Sequence, residues 1–250
     1  MSSTATARSV DNNVTPIWKS QNLISTRPVG YVRRGAYQTR SRGSLRCGEP
    51  ASSYLKRAFD VVAALLALIF FAPLFVGIML AIKATSRGPV FFRQYRHGYR
   101  NSLFKIYKFR TMRTAAGDPA GIKQTVRDDP RITAIGRVLR RTSLDEIPQL
   151  INVVKGDMSL VGPRPHVPGM LAADILYEEL VPYYFQRHIA RPGITGLAQV
   201  NGCRGSTVEP DLAIKRIDYD LDYIEKWSFQ MDVELLLRTV RREFLSGSGS

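Results

Sequence analysis

Cysteine and histidine are scarce in this chain. Its 250 residues hold two cysteines, Cys47 and Cys203, and three histidines. Two thiols so far apart make no disulfide framework, which fits a reducing compartment. His97, His166 and His188 show no metal-ligand spacing with one another or with a cysteine. A zinc centre is therefore not expected, and any metal should be a hard, oxygen-bound ion such as magnesium. There is no Walker A loop, no G-x-G-x-x-G and no internal repeat. Acidic residues are in deficit too, 21 against 36 basic ones, for a formal net charge of +15. Partners should be anionic: nucleic acid, phospholipid headgroups or phosphorylated metabolites.

Long apolar runs are limited to one. Ala58–Ile82 would extend about 37 Å as a straight helix, enough to cross a hydrocarbon core of about 30 Å. Pro73 near its middle removes a backbone hydrogen bond and predicts a kink, with Gly77 one turn later. Positive charge flanks both ends, Lys56 and Arg57 before, Lys83 and Arg87 after. A spanning helix normally shows an imbalance, so equal flanks favour a bent segment that enters and leaves on the cytoplasmic side, with a kinked spanning helix as the alternative. Residues 54–86 form this segment. Residues 1–53, rich in Ser, Thr, Arg and Asn, read as a disordered basic tail that either adheres to anionic lipid or is simply solvated. Residues 246–250 are a flexible Gly/Ser end.

Between them, residues 87–245 read as a compact α+β domain, mainly helical with small strands. Pro89–Phe92 and Phe104–Phe109 are strand candidates. Helices are expected over Ile132–Arg141, over Leu171–His188 with a perturbation at Pro182, around Asp211–Lys226 and around Met231–Leu245. The last has Val233, Leu236, Leu237, Val240 and Phe244 on one face and arginines around the other, and is expected to pack on its own domain.

Thr142–Pro165, TSLDEIPQLINVVKGDMSLVGPRP, is the most informative stretch. Ile147, Leu150, Ile151 and Val154 repeat at helical spacing, and Gly156 is a helix stop. Asp145 and Glu146 are expected in that helix's first turn, where the dipole favours their ionised forms. Acids at a helix start are usually caps. The rest of the stretch points further. Gly162-Pro163-Arg164-Pro165 stiffens the backbone on both sides of Arg164, which suits a guanidinium pre-organised for phosphate.

Five ordered motifs carry a family resemblance: KRAFD (Lys56–Asp60), KFRTM (Lys108–Met112), RRTSLDEIPQL (Arg140–Leu150), GDMSLVGPRP (Gly156–Pro165) and RPGITGLAQVNG (Arg191–Gly202). In this order the chain resembles the bacterial sugar transferases, monotopic polyprenyl-phosphate phosphoglycosyl transferases, from about Leu55 to Leu245. The resemblance implies transfer of a hexose 1-phosphate, galactose or glucose, from a UDP-sugar to undecaprenyl phosphate with release of UMP, as the first membrane step of exopolysaccharide synthesis. It implies a magnesium-dependent Asp-Glu dyad at Asp145 and Glu146, with Asp145 as nucleophile and metal ligand and a phosphosugar-enzyme intermediate. It also implies phosphate contacts from Lys108, Arg110, Arg140 and Arg164, with Asp157 as a weaker candidate. The catalytic domain would sit on the cytoplasmic face of the bacterial inner membrane, among lipids, with a homo-oligomer left open. Three positions depart from the common pattern: Ala72 where many relatives have Ser, Leu197 where Trp is common and Cys203 where Arg is common.

A competing reading is a membrane-tethered basic protein that binds nucleic acid or anionic lipid without catalysis. It draws on the net charge and the tail. The basic groups here gather around two carboxylates, which would repel a nucleic-acid backbone, so no nucleic-acid partner is expected.

Overall fold

A computed structural model describes residues 53–113, 129–203 and 208–246, with Pro50 and Gly205 besides, and side chains as far as Arg242. The expected basic tail and the last residues of the Gly/Ser end lie outside the described residues. The apolar segment forms two helices. The Ser53 hydroxyl accepts from the Lys56 N–H and starts α1 (Tyr54–Phe70). The helix breaks at Phe71, and Pro73 falls in the first turn of α2 (Ala72–Thr85), where its missing N–H costs nothing. The two helices are bent by 62° at this break. No single described helix is long and apolar enough to cross a membrane; the bent pair meets that test by length and composition.

Both ends of the bent pair pack on one body. Along α1, Lys56, Asp60 and Ala64 are buried. In the second half of α2, Ile78 and Ile82 are buried with Phe109 and Leu139. Around the break the apolar side chains are bare: Leu66 is 62% exposed, Ile69 71% and Phe70 77%. KRAFD is the joint. Lys56 Nζ donates to Asp232 Oδ2 at 2.6 Å and to the Val161 carbonyl at 3.1 Å. Asp60 accepts from Ser159 Oγ and the Leu160 N–H. Arg57 donates to the Val153 and Val154 carbonyls.

The two strand candidates extend into an antiparallel ribbon, β1 (Phe91–His97) and β2 (Leu103–Phe109), joined by a tight turn with positive φ at Arg100 and Asn101. The register sets Phe92 opposite Lys108, Gln94 opposite Ile106 and Arg96 opposite Phe104. Directly opposed residues share a face, and alternate residues along a strand do as well. Gln94, Arg96, Phe104, Ile106 and Lys108 therefore share the inward face. A helix follows the Thr133 cap, α3 (Ala134–Arg141).

The helix after the acid pair is shorter than the periodicity predicts. Ser143 adopts a left-handed conformation (φ 54°), Leu144–Glu146 make a separate 3-10 turn, and α4 covers only Gln149–Lys155. Asp145 and Glu146 thus precede the helix instead of lying in its first turn. Pro148 explains this, because it lacks the N–H a longer helix would use. Gly156 (φ 94°) ends α4 as expected.

β3 (Ser159–Val161) pairs in parallel with β6 (Gly193–Thr195), bringing the GPRP and RPGITG loops together. A Cβ on Gly193 would meet the Gly162 nitrogen at 2.1 Å, so only glycine permits this approach. The helix predicted over Leu171–His188 is absent. In its place stand a small hairpin, β4 (Leu171–Ala172) and β5 (Ile175–Leu176), one turn α5 (Tyr177–Leu180), and a 3-10 stretch at Tyr184–Ile189. Ala173 and Asp174 both have positive φ, the mark of a two-residue hairpin turn. A short α6 (Leu197–Val200) follows β6. The last helices, α7 (Pro210–Glu225) and α8 (Phe229–Ser246), appear where expected. The main core gathers Ala64, Ile106, Val153, Met158, Leu221, Ile224 and Leu235 from five elements and the loop before β3.

Candidate active site

Three segments distant in sequence meet at the acid pair: the end of β2, the turn Leu144–Glu146 and the GPRP loop after β3. Glu146 is fully engaged. Lys108 Nζ donates to its Oε1 at 2.7 Å, Arg164 Nη2 donates to the same oxygen at 2.6 Å, and Arg164 Nη1 reaches Oε2 at 3.3 Å. Burial alone would push this carboxyl up. The combined pull of Arg164 and Lys108 wins and holds it well below the ordinary glutamate range.

Asp145 differs. It is buried, and among the described residues no group donates a hydrogen bond to it. Burial raises its pKa and Glu146 adds to the rise, against the opposing charges of Lys108, Arg140 and Arg164. Of two adjacent carboxylates, one is locked as an ionised counter-ion and the other keeps its lone pairs free.

Arg140, at the end of α3, does not touch the pair. Its Nε donates to Thr111 Oγ1 at 3.0 Å, and it feels the charges of Asp145, Asp129 and Glu146. Arg164 is braced from below. Buried Arg187 donates to its carbonyl at 2.6 Å and is itself fixed by Asp220 at 2.6 Å. The motif patterns carry no sign of Arg187, Asp220 or Thr111 as supports, because their partners lie far away in sequence.

The structure does not bring Arg110 into this group. Its guanidinium is buried and donates to the Ser86 carbonyl and hydroxyl at the end of α2, where a cation satisfies exposed helix carbonyls. Asp157 lies at the other end of α4, about 10 Å along a helix of this length. There it accepts from Asn152 and pairs with Lys155 at 3.6 Å.

Among the described residues there is no group of three or more potential metal ligands. Of the two carboxylates of the pair, Asp145 is the one to which no described residue donates a hydrogen bond. That donor set fits magnesium, which binds through one or two carboxylates and completes its shell with substrate phosphates and water.

Comparison with known proteins finds a family and several relatives. The model of a family described as bacterial sugar transferase matches residues 51–246. An exopolysaccharide production protein, PSS, of Rhizobium leguminosarum bv. phaseoli is 52% identical over 78% of this chain and 98% of its own length. The UDP-glucose:undecaprenyl-phosphate glucose-1-phosphate transferase of Caulobacter vibrioides is 46% identical over 88% of this chain and 76% of its own. The undecaprenyl-phosphate glucose phosphotransferase of Komagataeibacter xylinus is 49% identical over 76% of this chain, which covers 36% of that longer protein.

Proposed function

The chain belongs to the bacterial sugar transferase family, and on that premise we propose that it transfers glucose 1-phosphate from UDP-glucose to undecaprenyl phosphate, releasing UMP, as the opening membrane step of exopolysaccharide synthesis. The observation that carries the chemistry is the unequal treatment of Asp145 and Glu146. A nucleophile needs an unengaged lone pair, and of the pair Asp145 offers one among the described residues while Glu146 does not.

In the first step an Asp145 oxygen attacks the phosphorus that bears the sugar. The O–P bond forms as the bond to the bridging oxygen breaks, and UMP departs with that electron pair. In the second step a phosphate oxygen of undecaprenyl phosphate attacks the same phosphorus, the bond to Asp145 breaks and the carboxylate is restored. The soluble and lipid substrates need never be bound together. Lys108 and Arg164 are pre-organised on Glu146 and can move their donors to an incoming diphosphate without large reorganisation. Asp145 would hold magnesium, whose chemistry is to neutralise charge on the phosphates. Removing the metal with a chelator should then stop turnover.

Access to a lipid substrate follows from the bent helix pair. Its two ends pack on the same domain while its apolar apex is bare, which supports insertion into one leaflet from the cytoplasmic side. A spanning helix would separate its ends by a bilayer.

The test is UMP release from UDP-glucose with undecaprenyl phosphate and magnesium, comparing the wild type with Asp145→Asn. The wild type should turn over and the variant should fall by at least about a thousandfold, as expected for loss of a nucleophile. Ready turnover by Asp145→Asn would remove this residue from its role, and a wild type inert on UDP-glucose would remove the substrate assignment.

A further inference from the structure

Beside the ion pairs of Glu146 lies a cavity of about 20 Å³, lined by Arg96, Ile106, Lys108, Gln149, Arg164 and Pro165. That volume holds one water or one oxygen of a larger ligand. Among the described residues its polar lining comprises three cations and an amide, with no carboxylate. Two of these side chains carry unused donors. Arg96 Nε and Gln149 Nε2 are buried without a hydrogen-bond partner, and Gln149 is only 1% exposed. Arg96 is otherwise fixed, donating to Gln94 Oε1 at 2.6 Å and to the Pro165 carbonyl at 3.3 Å. A buried donor left unmade costs about 1–3 kcal/mol, so two of them beside one cavity suggest that something else completes them.

Burial and then Arg164 lower Arg96 to about 10. The cavity shares Lys108 and Arg164 with Glu146, and Asp145 is not among its described lining residues. In an in-line displacement the departing phosphate sits farther from the nucleophile than the phosphorus under attack. Four cations, Arg96, Lys108, Arg140 and Arg164, face two carboxylates, a surplus that suits a dianion.

We infer that Arg96 and Gln149 form a subsite for the phosphate monoester opposite the nucleophile, donating to one of its non-bridging oxygens. This rests on the two-step reading above and adds a consequence. The departing UMP and the arriving polyprenyl phosphate are both phosphate monoesters on the same side of the reacting phosphorus, so one subsite serves them in turn. Arg96 and Gln149 are then shared positioning residues that recognise the phosphate and not the base or the lipid.

The experiment measures UMP binding to the intact detergent-solubilised protein by calorimetry, alongside the KM for undecaprenyl phosphate, in wild type, Arg96→Lys and Gln149→Leu. Gln149→Leu removes the donor while preserving bulk, should the arginine variant fold poorly. A hydrogen bond to a charged group predicts about ten- to hundredfold weaker UMP binding in each folded variant, and a KM for the lipid raised by a similar factor. Unchanged UMP affinity in folded Gln149→Leu would overturn the inference. So would weakened UMP binding with an unchanged lipid KM, since the subsite would not be shared. Failure of the underlying reading looks different: the wild type itself would release no UMP.

Discussion

At the scale of single residues, the main result is that two neighbouring carboxylates have opposite environments. Asp145 has its pKa raised by burial above the ordinary aspartate value of 3.8. If it attacks as the anion, the acid limb of kcat/KM for UMP release should lie above pH 3.8. A limb at or below that value in a steady-state pH profile would contradict the assignment. The sign for stability is also fixed. A carboxyl whose folded pKa exceeds its unfolded value binds its proton more tightly when folded, so its ionisation costs stability at neutral pH, and the cost disappears as pH falls through the folded value. Asp145→Asn should therefore raise the Tm. An unchanged or lower Tm would speak against the strained carboxylate. The acid pair, Lys108 and Arg164 were legible because they sit in short motifs whose chemistry is local. Arg110 was not, because its role depends on where α2 ends, and no spacing encodes that. Arg96 lies beyond the strand candidate that ends at Phe92, because β1 runs on to His97.

At the scale of elements, the bent pair carries its own test. Leu66, Ile69 and Phe70 project from the break while Lys56, Asp60, Ile78 and Ile82 hold both arms to the domain. In a Cys47→Ser background, cysteines at Tyr54 and at Arg87 should react with a membrane-impermeant maleimide from the same, cytoplasmic face. Labelling from opposite faces would replace insertion in one leaflet with a spanning helix and leave the site chemistry untouched. Elements with a sustained apolar stripe were readable: α7 and α8 each expose a helical period to one core. The β4–β5 hairpin was not. Its strands are two residues each, too short for any alternation to register, and the turn between them uses Ala173 and Asp174 instead of glycine.

At the scale of the whole molecule, His166 and His188 are buried and His97 is half-buried. His97 stacks on His188 at 5.2 Å, His166 Nδ1 lies 3.1 Å from the Tyr184 hydroxyl, and His188 meets Asn101. Burial and then Arg187 lower all three, His188 to about 2, with Arg216 also acting on His166. A histidine kept neutral in the fold but free to charge when unfolded contributes stability above its unfolded pKa of 6.5, lost as pH falls from there towards the folded value. Stability should therefore fall from about pH 6.5 downwards, by up to about 1.4 kcal/mol per pH unit for each histidine. Thermal unfolding of the detergent-solubilised protein at pH 7.5, 6.5 and 5.5 measures it. A Tm flat across that range would show that the histidines do not titrate on unfolding.

The sequence by itself determined the chemistry available: a carboxylate pair, a proline-stiffened arginine, a lysine beside a strand end and a broken apolar helix. These are local, since proline geometry, helix periodicity and charge order act within a few residues. Only the tertiary structure decided which carboxylate is free, because Lys108 and Arg164 reach Glu146 from separate segments. It also decided which arginines face the site, because a strand's register assigns every second side chain to one face. Arg96 joins Lys108 through that pairing, and Arg110 turns instead to the end of α2.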